Sequence, residues 1–578
     1  MPEDPKTPAS VPVALNEMRV FDRNLHAAEA RLTGGLAPSA LIGAIMDWAA
    51  HMADQPGRRA AMANQALQDM AALWRLTCNA APTVSPAPGD RRFNHPAWAN
   101  FPFSMIEQGF LLNERWWNLA TTGVTGVARS HEHIVNFMTR QILDMASPSN
   151  IPFLNPEVLS ATMQSGGQNL QQGLRNFLDD MAMAARAAPA ALPMQPGRDV
   201  ATTPGQVVLR NELIELLQYT PRTKTVRPEP ILIVPAWIMK YYILDLSPGN
   251  SMIRYLVEQG YTVFCISWLN PSAAQRELGL DDYRTKGVMA AIDAVQAISG
   301  SDKIHATGYC LGGTLLTIAA AAMARDNDER LASISLLAAQ TDFTEAGELQ
   351  LFINEAQLAF LDDLMWKQGY LDSTQMAGAF QMLRSNDLIW SRLIRRYYLG
   401  EEDAPNDMMS WNMDATRMPY RMHSEYLWHL FQNNNLAEGR FPAGGKPVSV
   451  HDISAPIFAV GTESDHIAPW RSVHKLHLLN PGDITFVLTS GGHNAGIVSE
   501  PGHPRRHYRS LRHLPESHYH APDEWLQLAS LTEGSWWPAW TAWLDTHSSA
   551  PVPPPPMGNA KAGYKCLEPA PGQYILQR

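Results

Sequence analysis

The chain has 578 residues, 45% of them apolar and 17% charged, with a formal net charge of −11. That length allows several domains and a large core, while the acidic balance leaves no broad basic surface for a nucleic acid. The opening stretch "MPEDPKTPASVPVALNEM" has early acids and no apolar core, so it does not read as a secretory signal.

No run approaches the roughly 18 apolar residues of a membrane span; the longest, Thr314 to Ala324, is too short. Four cysteines, Cys78, Cys265, Cys310 and Cys566, stand far apart with no CxxC spacing. They predict free thiols in a reducing cytoplasm rather than a disulfide framework.

In chain order, residues 1–200 predict a helical N-terminal region, with the first ~30 disordered. "HEHIVNFMTRQILDMA" and "GLRNFLDDMAMAARAA" carry the helical period, and Pro-rich breaks at 82–88 and 188–196 divide them. Residues 201–578 predict a catalytic α/β domain. Its first two buried strands are "PILIVPAW" (230–237) and "YTVFCISW" (261–268). A helical pattern at 282–299 leads to the strand "KIHATGY" (303–309), an Ala-rich helix, and "ASISLLAA" (332–339). The sheet pattern then stops over about 345–450, a helical, irregular stretch rich in Trp, Tyr, Met and Asn that predicts an inserted cap. Strands resume with "APIFAVGTESD" (455–465) and "DITFVLTSGGH" (483–493). Such alternation predicts a mostly parallel sheet covered on both faces.

Gly308-Tyr309-Cys310-Leu311-Gly312 has the layout of a nucleophile elbow, a sharp strand-to-helix turn too crowded for side chains at its glycines. A helix N-terminus there favours thiolate at Cys310. The α/β-hydrolase order is nucleophile, acid, histidine. Asp465 and His493 follow in that order, each just past an apolar strand. His493 is the expected base and Asp465 the residue that fixes its tautomer. His466 competes with His493 for the base, and otherwise reads as a rim histidine. An oxyanion hole needs two backbone N–H groups: Leu311 offers one, Trp237 or the neighbouring Ile238 the other.

Sulfur changes the energetics. A thioester substrate acylates a cysteine at nearly even free energy, and the acyl group stays activated for transfer to an alcohol. That favours a transferase, provided the cap excludes water.

"FNHPAWANFPF", "ATTPGQVVLRNELIELLQY", "PAWIMKYYILDLSPGNS", "GYCLGG", "NDLIW", "WNMDATRMP", "GTESDHIAPW", "GGHNAGIVSEP" and "GSWWPAW" together resemble the polyhydroxyalkanoate synthases, most of all the class I enzymes. The resemblance runs from about residue 90 onward; residues 1–90 match little. It implies polymerisation of (R)-3-hydroxyacyl-CoA into polyester with release of CoA. The chain would grow on Cys310, with His493 deprotonating it and Asp465 also helping to activate the attacking 3-hydroxyl. The box "GYCLGG" points to short-chain substrates. The resemblance further implies a homodimer, cytoplasmic, on polyester granules. The alternatives are a thioesterase or depolymerase using water as acceptor, and an inactive granule-coat protein, which the intact Cys310, Asp465 and His493 argue against.

Weaker signals remain. Arg505, with Arg506, Arg509 and Arg512, and Arg395 in "RLIRRYYLG" are candidates for CoA phosphate, as His466 is for substrate; a solvated basic face is the plainer reading of the arginines. Histidines 503, 507, 513, 518 and 520 show no metal-ligand spacing, so no metal and no cofactor beyond the CoA thioester substrate are expected. Trp98, Phe101, Phe103, Trp116 and Trp117 read mainly as core, with an exposed subset suited to a granule surface or a partner.

Overall fold

Short runs of apolar residues make the catalytic sheet, because strands covered on both faces need no polar alternation. The computed structural model describes residues 13–578 except 34, 79–80, 88, 185–191, 373–374, 376–384, 386–388 and 403–405. Residues 1–12, part of the 188–196 break and the first three residues of "NDLIW" therefore lie outside the described residues.

In chain order the main sheet comprises β1 (Gly205–Arg210), β2 (Ile214–Tyr219), β3 (Ile231–Val234), β4 (Val263–Trp268), β5 (Ile304–Tyr309) and β6 (Leu331–Leu337). It continues with β7 (Ile457–Thr462), β8 (Ile484–Thr489), β9 (His507–His513), β10 (Ser530–Glu533) and β11 (Glu568–Pro569). The spatial order is β10-β9-β8-β7-β6-β5-β3-β4-β2-β1-β11. Neighbours from β8 across to β4 pair in parallel, and these six are the strands that the apolar runs predict. The flanking pairs are antiparallel. Every residue of β3, β4, β5 and β7 is buried.

The 282–299 pattern is a helical run with a π stretch at Tyr283–Met289, where Gly287 lies against the Trp268 ring. A Cβ there would meet that ring at 2.6 Å. Between β6 and β7 the insertion folds as helices, chiefly Glu355–Gln368 and Tyr420–Tyr426, plus a hairpin, Phe441–Ala443 with Lys446–Val448. Trp536, Trp537 and Trp540 are at most 1% exposed and close the main core beside β6 and β7.

Among the described residues, seven α-helices and two short 3-10 helices between Val13 and Ala184 precede the sheet, with no strand before Gly205. Val13–Leu32 is a helix, so the disorder expected over the first ~30 residues is corrected from residue 13 on, and residues 1–12 lie outside the described residues. This helix packs on Glu355–Gln368, with Arg23 and His26 both bound to Asp363. By compactness the chain forms two units: residues 1–35, 192–373 and 405–578, and residues 36–191 with 374–404. The second unit has small cores of its own, around Trp98, Phe93 and Leu111, and around Met52, Met62 and Ala120. Trp98 is 1% exposed in it, Trp116 and Trp117 are half-buried, and Phe101 is 77% exposed.

Candidate active site

Strand β5 ends at Tyr309, and the chain turns at once into the helix Leu311–Arg325. Cys310, at the turn, has φ 52° and ψ −124°, a conformation sparsely populated by residues with a Cβ and typical of functional elbows. The glycines permit it. A Cβ on Gly308 would lie 2.3 Å from the Cα of Gly313, and one on Gly312 would lie 2.1 Å from the Val234 carbonyl oxygen. The backbone N–H of Cys310 donates to Leu337 O at 2.9 Å, and its carbonyl accepts from Gly313 and Thr314. Its side chain is half-buried. Leu311 opens the helix, so its N–H has no acceptor within that helix.

His493 follows β8 and Asp465 follows β7, the neighbouring parallel strand. Asp465 Oδ2 and His493 Nδ1 are 2.7 Å apart, and the two residues are 9% and 7% exposed. Asp465 Oδ2 also accepts from the Thr462 hydroxyl at 3.0 Å, and Oδ1 from the N–H groups of Ile467 and Ala468 at 2.9 Å each. With Nδ1 engaged, Nε2 is the ring nitrogen left for Cys310, whose sulfur lies close enough to act on the charge of the imidazole.

Burial penalises charge on both His493 and Asp465, but their partners outweigh it. The negative charge on Cys310 and the Asp465 carboxylate hold the imidazolium up to about 10. The His493 charge, its hydrogen bond and the two backbone donors hold Asp465 below the usual carboxylate range. The arrangement can therefore hold a proton on His493 beside the sulfur and hand it back.

Sequence reasoning passed over three further groups. Tyr309 leans on the His493 ring, centroids 5.8 Å apart, and its hydroxyl donates to Asn494 Oδ1 at 2.6 Å. Tyr426, from the insertion, has its phenol pushed well up by burial and then by the nearby Cys310 charge. Tyr309 and Asn494 flank Cys310 and His493 in sequence, a signal that was available; Tyr426 had none.

The loop after β3 runs beside the elbow, since Gly312 lies against Val234 and Pro235. Trp237 is 3% exposed, with its ring against those of Trp268 and Tyr283, so its side chain is core and only its backbone is left for the candidate role. The carbonyls of Trp237 and Ile238 accept from Thr416, the first from the hydroxyl at 2.6 Å.

His466 follows Asp465 half-buried, its carbonyl against Gly347 of the insertion. Arg505 is exposed on the turn before β9, with φ 62°. Arg506 donates to Ser490 O, Arg509 to Ala529 O and Arg512 to Asp483, so the rest of that cluster holds strands and turns together. Arg395 is exposed on Leu393–Tyr398, in the second compact unit. Among the described residues, no group of three or more His, Cys, Asp or Glu side chains is arranged to hold a metal, and no helix is long and apolar enough to cross a membrane.

Known proteins match this chain along most of its length. The family model described as alpha/beta hydrolase fold matches residues 229–500. Models of the poly-beta-hydroxybutyrate polymerase N-terminus match 89–256 and, in a second form, 16–58. The likeness thus reaches well before residue 90, where the motifs alone begin. Poly(3-hydroxyalkanoate) polymerase of Methylorubrum extorquens is 40% identical over 522 residues, 88% of this chain and 86% of that protein. The poly(3-hydroxyalkanoate) polymerase subunit PhaC of Cupriavidus necator is 36% identical over 517 residues, 88% of this chain and 87% of that protein. The subunit of the same name from Rhizobium etli is 36% identical over 499 residues, 85% of this chain and 77% of that protein.

Proposed function

The chain belongs to the poly(3-hydroxyalkanoate) polymerases, and on that premise we propose that it polymerises (R)-3-hydroxyacyl-CoA, short-chain substrates first, on Cys310. The observation that carries this reading is a cysteine at a strained elbow, its sulfur near a histidine that is itself held by a buried carboxylate.

The Cys310 thiolate attacks the thioester carbonyl carbon, and the oxyanion is met by N–H groups of Leu311 and of Trp237 or Ile238. The bond to the CoA sulfur breaks, and CoA leaves with the proton that His493 holds. The acyl group is now a thioester on Cys310. The 3-hydroxyl of an incoming hydroxyacyl-CoA then gives up its proton, with His493 and Asp465 as the available bases, and attacks that thioester. The Cys310 sulfur–carbon bond breaks, the freed sulfur takes the lengthened acyl group back from its CoA, and that CoA leaves with the proton. One ester bond forms for each CoA released. His466, Arg395 and Arg505 are assigned to substrate binding, and no cofactor is needed. The same reading makes the enzyme a homodimer, cytoplasmic, on the surface of polyester granules.

Purified protein given (R)-3-hydroxybutyryl-CoA, with CoA release followed and the acyl product analysed, tests this beside Cys310→Ala. Polymer from the wild type and no CoA release from the variant are expected. CoA release that yields only free hydroxyacid would contradict the polymerase reading and turn it into a thioesterase.

A further inference from the structure

Residues distant in sequence tie down the loop that leaves β3. Besides the Thr416 bonds to Trp237 and Ile238, Met239 pairs with Ala415, and the Trp411 indole donates to the Lys240 carbonyl at 2.8 Å. Lys240 closes the loop with its side chain 2% exposed. Its ammonium donates to the carbonyls of Ile575 and Gln577 and lies 3.8 Å from Asp414, whose side chain is 3% exposed. The segment it grips is itself anchored. Glu215 accepts from the N–H groups of Gln573 and Tyr574, the Asn270 N–H donates to the Gln577 side chain, and Ile575 is 1% exposed.

An ammonium in such a place is costly to desolvate, and an apolar side chain would fill the same space more cheaply. Burial brings the Lys240 amine down to about 8 even with Asp414 beside it. What the ammonium adds is direction: its N–H donors set where the loop lies relative to two fixed carbonyls. The other end of the loop, at Pro235, touches Gly312, two residues beyond Cys310.

We propose that Lys240 is a positioning residue for acyl transfer: it locks the loop Pro235–Lys240 to Ile575, Gln577 and Asp414, and so holds the Trp237 and Ile238 N–H groups where the oxyanion forms. This rests on the acyltransfer reading above. Lys240→Met removes the charge and keeps the length of the stem. With (R)-3-hydroxybutyryl-CoA, its kcat for CoA release is expected to fall about 10-fold or more with KM within about two-fold, because a displaced oxyanion donor weakens mainly the transition state.

Gln577→Ala takes away the side-chain acceptor of the Asn270 N–H, so the carbonyl that Lys240 grips is held less firmly while Lys240 itself stays in place. This variant is expected to lower kcat in the same direction by less, and it decides the matter if Lys240→Met does not fold. Wild-type kcat in the folded variants, or a loss confined to KM, would overturn the positioning role while leaving the polymerase reading intact. A wild-type protein that releases no CoA would overturn the reading itself, and the proposal with it.

Discussion

Asp465→Asn separates charge from geometry at the site. Oδ1 of Asp465 faces the N–H groups of Ile467 and Ala468, so an asparagine must keep its oxygen there. Its NH2 then faces His493 Nδ1, which has to accept rather than donate. The imidazole proton moves to Nε2, and the nitrogen that faces Cys310 can no longer take a proton. We expect kcat for CoA release to fall by about 10⁴, the scale seen when the same change is made in a serine triad, with KM little altered. Steady-state kinetics on a variant of unchanged melting temperature checks this, and a loss under about tenfold would place the working carboxylate elsewhere. Gly308 and Gly312 set the other residue-scale constraint, because each approaches backbone more closely than a Cβ allows.

At the scale of elements, legibility follows burial. The six parallel strands stood out because covered strands are uninterrupted apolar runs, and Cys310, Asp465 and His493 stood out because each sits at the end of one. Strand β9, "HYRSLRH", was read as a basic cluster because a flanking strand that is not fully buried alternates polar and apolar residues. The hairpin of β1 and β2 was quoted as a motif without being seen as strands: Glu215 and Gln218 interrupt its apolar pattern, although both are buried on specific partners. Val13–Leu32 was missed for a different reason. Its partner helix lies some 337 residues away, and "VFDRNLHAAEARL" looks solvated until Asp363 is placed beside Arg23 and His26. Lys240 was illegible on the same ground, as its contacts come from positions 414, 575 and 577.

For the molecule as a whole, buried neutral histidines set the response to acid. Burial holds His305 and His474 down to about 4, and His423 and His477 to about 3, against an ordinary value near 6.5. Between those values and about 6.5 the unfolded chain binds protons that the fold refuses, so stability falls as pH drops. Each group contributes at most about 1.4 kcal/mol per pH unit. Asp245, raised to about 6 by burial, acts the other way between about pH 4 and 6. Glu107, Asp362 and Asp414, also raised by burial, act with it in the carboxylate range, while His513, lowered by burial, sides with the four histidines. The melting temperature is therefore expected to fall steadily from pH 6.5 to 5. His474→Phe, which replaces a ring with both nitrogens unpartnered and packed edge-on to Phe486, should flatten that fall. An equally steep fall in the variant would remove His474 from the account.

On the proposed route the polymer grows on sulfur at position 310. Mass analysis of the peptide containing Cys310, taken by acid quench during turnover of (R)-3-hydroxybutyryl-CoA, shows whether it does. A thioester-linked series on Cys310 is expected, spaced by one hydroxyacyl unit and released by hydroxylamine. Polymer forming while Cys310 stays unmodified throughout turnover would rule out growth on that sulfur.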